Sequence, residues 1–174
     1  MQKRIFIIVS LFALIVTAPA STVTAQPGVF SREDIIRFTP LWKGERLPDG
    51  RPSVPGDLLE RMKKTNIEDA WSVLRRYGYV NQFESGWVKS HEHPRLVGRA
   101  LTAAFMPLRP DVNEVINAEG KRNGEIGAQN SWVIGKLRKG DVLVVDLFGK
   151  VLEGTFAGNN LSTMIKDKSG NGYI

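Results

Sequence analysis

The sequence predicts an α/β fold, and three observations carry that prediction. Residues 141–146, Asp-Val-Leu-Val-Val-Asp, form a compact β-branched run of the kind that fits a pleated sheet. A loop over residues 147–157 and a helical stretch over 158–168 follow it, and Tyr173-Ile174 then begins a further strand. A strand, a helix and a returning strand make a right-handed crossover onto a parallel sheet buried on both faces; here the return is missing after its first residues, and the alternative reading of Tyr173-Ile174 is a short apolar tail that frays. A second, longer apolar run over residues 96–106, with Val97, Ala100, Leu101 and Phe105, also reads as a strand.

The chain opens on Lys3 and Arg4, continues with an apolar run over residues 5–16, and reaches Val23-Thr24-Ala25 through small residues. That order is a secretory signal peptide over residues 1–25, with cleavage expected before Gln26 and a competing site at Ala18-Pro19-Ala20. The run is shorter than the roughly 20 residues a spanning helix needs, and no second such run follows, so a permanent membrane anchor is not expected. With no cysteine in the chain, a lipid-anchored lipoprotein is excluded, and a secreted or periplasmic domain must hold together by packing without disulfides. A content of 42% hydrophobic and 24% charged residues suits one globular domain. The net charge of +6 includes Lys3 and Arg4, and the remaining cations interleave with acids, so no patch points to nucleic acid.

Ser31-Arg32-Glu33-Asp34 starts a short helix, with a Ser cap, an acid three residues on, and Ile35, Ile36 and Phe38 on its apolar side. Residues 42–55 are dense in turn formers and predict an irregular arm lying on the surface. Two helical stretches follow over residues 57–77, broken at Lys64-Thr65-Asn66. Asn66 caps the second, in which Ile67, Ala70, Trp71 and Leu74 recur at helical spacing. Residues 79–83 alternate and read as a strand. Residues 111–118 and 124–137 read as helices, the latter burying Ile126, Trp132, Val133, Ile134 and Leu137, with Gly127 and Gly135 interrupting it.

Ligands of parallel α/β units bind where a strand ends and the next helix begins, because free amides and the helix dipole attract anions there. In this chain that place runs from Asp146 to Leu161 and holds Gly149, Lys150, Gly154 and Gly158, then Asn159-Asn160 at the helix start. The same residues also furnish any strand-to-helix turn, and spacing does not choose between the two readings. His91-Glu92-His93 is the one histidine pair; a zinc site needs three or four protein ligands, so a solvated loop is the better reading, and any metal is expected to be a hard ion held by carboxylates. Neither a Gly-x-Ser-x-Gly elbow nor a Gly-x-x-x-x-Gly-Lys-Ser/Thr loop occurs.

Taken in order, Leu96-Val97-Gly98-Arg99-Ala100-Leu101-Thr102, Gly140-Asp141-Val142-Leu143-Val144-Val145-Asp146 and Gly158-Asn159-Asn160-Leu161-Ser162-Thr163 resemble the RraA-like family. That family includes the 4-hydroxy-4-methyl-2-oxoglutarate aldolases and the regulators of ribonuclease E activity, and members were often mislabelled dimethylmenaquinone methyltransferases. The resemblance covers residues 67–174, within a domain placed at 61–174; residues 26–60 have no counterpart and form an N-terminal extension. It implies a swivelling β/β/α domain assembled as a homotrimer or hexamer. It also implies a divalent ion, typically magnesium, as cofactor, and a small 2-oxo-acid substrate whose carboxylate is held by the amides of Gly158, Asn160 and Leu161. Aldolase members release pyruvate from a 4-hydroxy-2-oxo acid or decarboxylate oxaloacetate.

Two departures from the family bear on catalysis. At the position where the family carries an Asp or Glu that positions a water for proton transfer, this chain has Asn159, which cannot act as a base. The family's Asp-Gly-x-x-Arg-Asp segment, whose Arg grips substrate and whose Asp anchors the metal, falls beyond Ile174, so no residue of this chain is assigned as a metal ligand and the domain is read as truncated. The expectation is an exported RraA-like protein, in complete form a metal-dependent lyase, or else a non-catalytic carboxylate-binding or assembly module on the same scaffold. The export signal argues against a regulator of a cytoplasmic ribonuclease.

Overall fold

The computed structural model describes residues 30–90, 92, 95–149 and 156–174. The signal peptide, its cleavage site, His91, His93, Lys150 and Gly154 lie outside the described residues. Six helices and two strands follow in the order α1 (Arg32–Phe38), α2 (Gly56–Met62), α3 (Ile67–Arg76), β1 (Arg99–Ala104), α4 (Pro110–Arg122), α5 (Gln129–Gly135), β2 (Asp141–Asp146) and α6 (Asn159–Ser169). The chain is therefore mixed helix and strand. Among the described residues, no helix is long and apolar enough to cross a membrane.

β1 and β2 pair in parallel, with Arg99 opposite Asp141 and Ala104 opposite Asp146. On the other side of β2, Tyr173 bridges Leu143 in parallel; Ile174 donates its N–H to Leu143 O at 3.0 Å, and Val145 donates to Ile174 O at 2.7 Å. Tyr173 and Ile174 thus begin a third strand, as the sequence reading expected, and β2 lies between it and β1. The sheet is not covered on both faces throughout. β2 begins with three buried residues, but β1 alternates half-buried and exposed, because Leu101 and Ala103 face the core while Ala100 and Thr102 face out.

The core closes between β2, α5 and α6. Ile134, Leu137, Leu143, Phe156 and Ile165 form its buried cluster, with Leu101, Phe105, Val133, Val145, Leu147 and Leu161 packed against it. α4 is fastened to α5 from outside. The Trp132 ring lies so close to Gly120 that a Cβ there would fall 2.2 Å from Cη2, so only glycine admits the contact.

Several boundaries differ from the sequence reading. Residues 79–83 form no strand: Asn81 is left-handed at φ 56°, and among the described residues nothing pairs with the segment. The helix expected over 124–137 shrinks to α5, because Gly124 and Gly127 adopt φ +75° and +81°, and no L-helix passes through that geometry. Ile126, expected inside, is consequently 85% exposed. The strand expected over 96–106 contracts to β1, whereas α4 runs past residue 118 to Arg122.

The arm over residues 42–55 is irregular, but it is anchored. An antiparallel bridge joins Arg46 to Pro52, and Arg46 ties the turn together through Thr39 O, Thr39 Oγ1 and Gly50 O, each at 2.7–2.8 Å. Arg51 is buried, and its Nη2 reaches Asp141 Oδ2 at 3.1 Å. Arg99 Nε donates to Asp141 Oδ1 at 2.9 Å, and the Arg138 N–H donates to Oδ2, the oxygen that Arg51 also holds, at 3.0 Å. Asp141 is fully buried and holds the arm, β1 and the turn before β2 together.

Candidate functional site

Two candidate places for a ligand among the described residues lie at the carboxyl end of the sheet, where a parallel strand pair leaves its loops. The first is the strand-to-helix turn after β2. Asp146 closes that turn itself: its Oδ1 accepts the Phe148 N–H at 2.7 Å, with Phe148 left-handed at φ 58°. Its carboxylate is therefore engaged in the backbone.

α6 starts at Gly158, which has no side chain to cap it. Ser162 N–H bonds back to Gly158 O at 3.0 Å, and the N–H groups of Asn159, Asn160 and Leu161 meet no acceptor among the described residues. Asn159 and Asn160 are exposed, so their side chains stand at the mouth of the helix. Leu161 divides its roles, with its side chain packed on the core and its amide at the helix start. The hydroxyls nearby point away: Ser162 Oγ bonds Gly158 O at 2.9 Å, and Thr163 Oγ1 bonds Asn159 O at 3.0 Å. Chemically, this is an uncapped helix terminus, whose partial positive charge suits a carboxylate. The structure places Gly158, Asn159, Asn160 and Leu161 together in one turn. Gly149 sits on the preceding turn at φ +67°.

The second place is a cleft of about 600 Å³ between β1, β2, α4 and α5. Phe105 and Leu147, the residues that follow the two strands, form its floor with Phe156. Asn113 and Asn117 of α4, Gln129 and Asn130 of α5, and Lys121 and Glu125 form its walls. Gln129 Nε2 donates to Asn113 Oδ1 at 2.9 Å and to Asn117 Oδ1 at 3.1 Å, which joins the two helices. Asn130 Nδ2 donates to Phe156 O at 2.9 Å and fixes the segment that leads into α6. Phe156 precedes Gly158 by two residues, so cleft and helix start are separated by at most about 7 Å of extended chain.

None of the cleft's carboxamides was singled out from the sequence. The available signal was the spacing of Asn113 and Asn117, one turn apart on a helix already expected there, which puts both on one face.

Three carboxylates are held below their ordinary range. For Asp34 the Ser31 hydroxyl is the main cause, and for Asp111 the Arg109 guanidinium. At Asp49, burial alone raises the value, and the bonds from Arg51 backbone and side chain outweigh it. Among the described residues, no three His, Asp or Glu side chains gather where they could hold a metal ion. The described residues therefore assemble no site of their own for the divalent ion that the family resemblance implies.

Fold and site define an α/β domain with a parallel strand pair and two polar recesses at its carboxyl end. In comparisons with protein-family models, characterised proteins and solved structures, the chain matches none of them.

Proposed function

We propose that this chain is an exported RraA-like protein that binds the carboxylate of a small 2-oxo acid at the start of α6. The observation that carries the reading is the uncapped turn at Gly158, Asn159, Asn160 and Leu161, at the end of a parallel β2–α6 crossover whose three sequence motifs occur in the family's order. On this reading the finer fold is the swivelling β/β/α domain, assembled as a homotrimer or hexamer, acting in the periplasm or outside the cell. The protein then works as a lyase in the presence of the family's Asp-Gly-x-x-Arg-Asp segment.

In a retro-aldol cleavage of a 4-hydroxy-2-oxo acid, the C3–C4 bond breaks, the C4 hydroxyl gives up its proton as the carbonyl forms, and C3 takes a proton to become the pyruvate methyl. The residues described here contribute the carboxylate-binding amides. They do not contribute the base, since Asn159 holds a carboxamide where the family has a carboxylate. No step is assigned to a metal, because these residues assemble no site for one.

That substitution favours a second reading, in which the scaffold binds a carboxylate or assembles without turning it over. One experiment separates the two: pyruvate release from a 4-hydroxy-2-oxo acid, with and without magnesium, for the native protein and for Asn159→Asp. The lyase reading expects release once the chain is extended through the family's Asp-Gly-x-x-Arg-Asp segment, and the binding-module reading expects saturable pyruvate binding without release from that longer protein. Activity gained only in Asn159→Asp shows a competent scaffold that lacks its base. Absence of both binding and release overturns the two readings together.

A further inference from the structure

The cleft between α4 and α5 is more than a gap beside the carboxylate turn, and its chemistry differs from that turn. We propose that it is a separate binding site for a small, uncharged polyhydroxylated molecule, of the size and type of a monosaccharide.

The argument begins with the carboxamides. Gln129 uses its Nε2 on two acceptors, Asn113 Oδ1 and Asn117 Oδ1. Gln129 Oε1, Asn113 Nδ2 and Asn117 Nδ2 are left with no partner among the described residues, and all three belong to side chains that line the cleft. The wall thus offers two amide NH2 groups and one carbonyl oxygen at neighbouring points. A hydroxyl donates and accepts at once, so a pair of vicinal hydroxyls satisfies this alternation. A carboxylate only accepts, and it leaves Gln129 Oε1 unmatched.

Charge points the same way. Lys121 and Glu125 both line the cleft, and Glu125 pairs with Lys136, which does not line it, at 3.4 Å. A ligand entering the cleft meets a cation and a carboxylate in the same wall, and a hydroxyl can bond to either one.

The floor completes the match. Phe105 and Phe156 pack at 5.3 Å with their rings tilted by 50°, and Trp132 is held by its Nε1–H on Gly127 O at 3.1 Å and by contact with Gly120. Rigid aromatic surface beside a few convergent polar groups is the usual make-up of a small-molecule site, and the C–H faces of a sugar ring suit that surface. The volume of about 600 Å³ accommodates one such ring with solvent to spare.

The test is a nitrogen–proton NMR titration of the protein with D-glucose, D-xylose, sodium succinate and sodium pyruvate in turn. The proposal expects saturable shifts of the Asn113 and Asn117 side-chain amides and the Trp132 indole with a sugar, and none there with succinate. Asn117 is exposed, so Asn117→Ala leaves the fold intact and weakens sugar binding about fivefold to tenfold, the loss of one hydrogen bond. Asn113→Asp, which adds a charge while keeping the shape, weakens it as well. Shifts at the cleft with succinate alone, sugar binding indifferent to both substitutions, or no shift at the cleft with either sugar overturns the proposal. Pyruvate shifts at the amides of Asn159–Leu161 are read in the same spectra, so failure at the cleft is distinguished from failure of the carboxylate site.

Discussion

In residues 99–174 the apolar side chains of two strands and their helices close on one another, while in residues 56–97 equally regular helices bury none of their residues. Ile134, Leu143 and Ile165 are fully buried; Ile67, on the well-patterned α3, is 63% exposed, and neither α2 nor α3 buries a single residue. α3 holds its shape by local means instead. Asn66 caps it, accepting the Asp69 N–H at 2.7 Å; Trp71 lies 5.6 Å from the Phe83 ring, and Arg75 stands over its indole. Trp71 Nε1 is buried without a partner among the described residues. Periodicity makes a helix amphipathic, but burial needs an opposing surface, and among the described residues α3 meets none that encloses a whole residue.

If that contrast is right, the largest effect comes from the residue that fastens the arm to the sheet. Asp141→Ala leaves Arg51 and Arg99 buried without their shared carboxylate and is expected to cost about 3–5 kcal/mol, read by chemical denaturation. Ile165→Ala empties a site that is fully enclosed and costs about 2–5 kcal/mol, whereas Leu74→Ala on the half-exposed face of α3 costs under about 1 kcal/mol. Equal costs for those two would erase the distinction between the regions. Gly120→Ala forces the Trp132 ring away and costs about 1–3 kcal/mol, with the tryptophan fluorescence changed.

The smallest effect is one of pH. Asp49 titrates below its ordinary value in the folded arm, so its contribution is present above the unfolded carboxylate value of about 3.9 and is lost as pH falls through the lower folded value. Asp49→Asn is therefore expected to destabilise the arm at neutral pH, and its penalty should shrink as the pH drops below about 4. Thermal melts at a series of pH values measure this; a penalty that grows on acidification contradicts it.

What could be read from the sequence was local. Ser31 and Asp34 form the full capping box three residues apart, Asn66 caps α3, and Asp141–Asp146 is a strand over the very residues its β-branched run marks. The start of a further strand at Tyr173-Ile174 was also legible, although its apolar residues alone do not tell a strand from a fraying tail. The contacts that escaped join distant positions. Arg51 and Asp141 are 90 residues apart, and nothing near either one announces a buried pair. Gln129 meets Asn113 and Asn117 across the same α4–α5 contact in which Trp132 lies on Gly120, and local spacing announces neither. Residues 79–83 alternate as a strand should, yet a strand exists only by pairing, and Asn81 turns the backbone away. At the α6 start, the sequence brought Gly158, Asn159, Asn160 and Leu161 to one turn, but it could not show that Ser162 and Thr163 direct their hydroxyls back to the helix.

The account places ligand chemistry at the carboxyl end of the sheet and none on α3. A nitrogen–proton NMR titration with pyruvate tests this most directly. The expected result is saturable shifts of the Asn159, Asn160 and Leu161 amides, with α3 unmoved; shifts confined to residues 67–76, or none at the start of α6, contradict it.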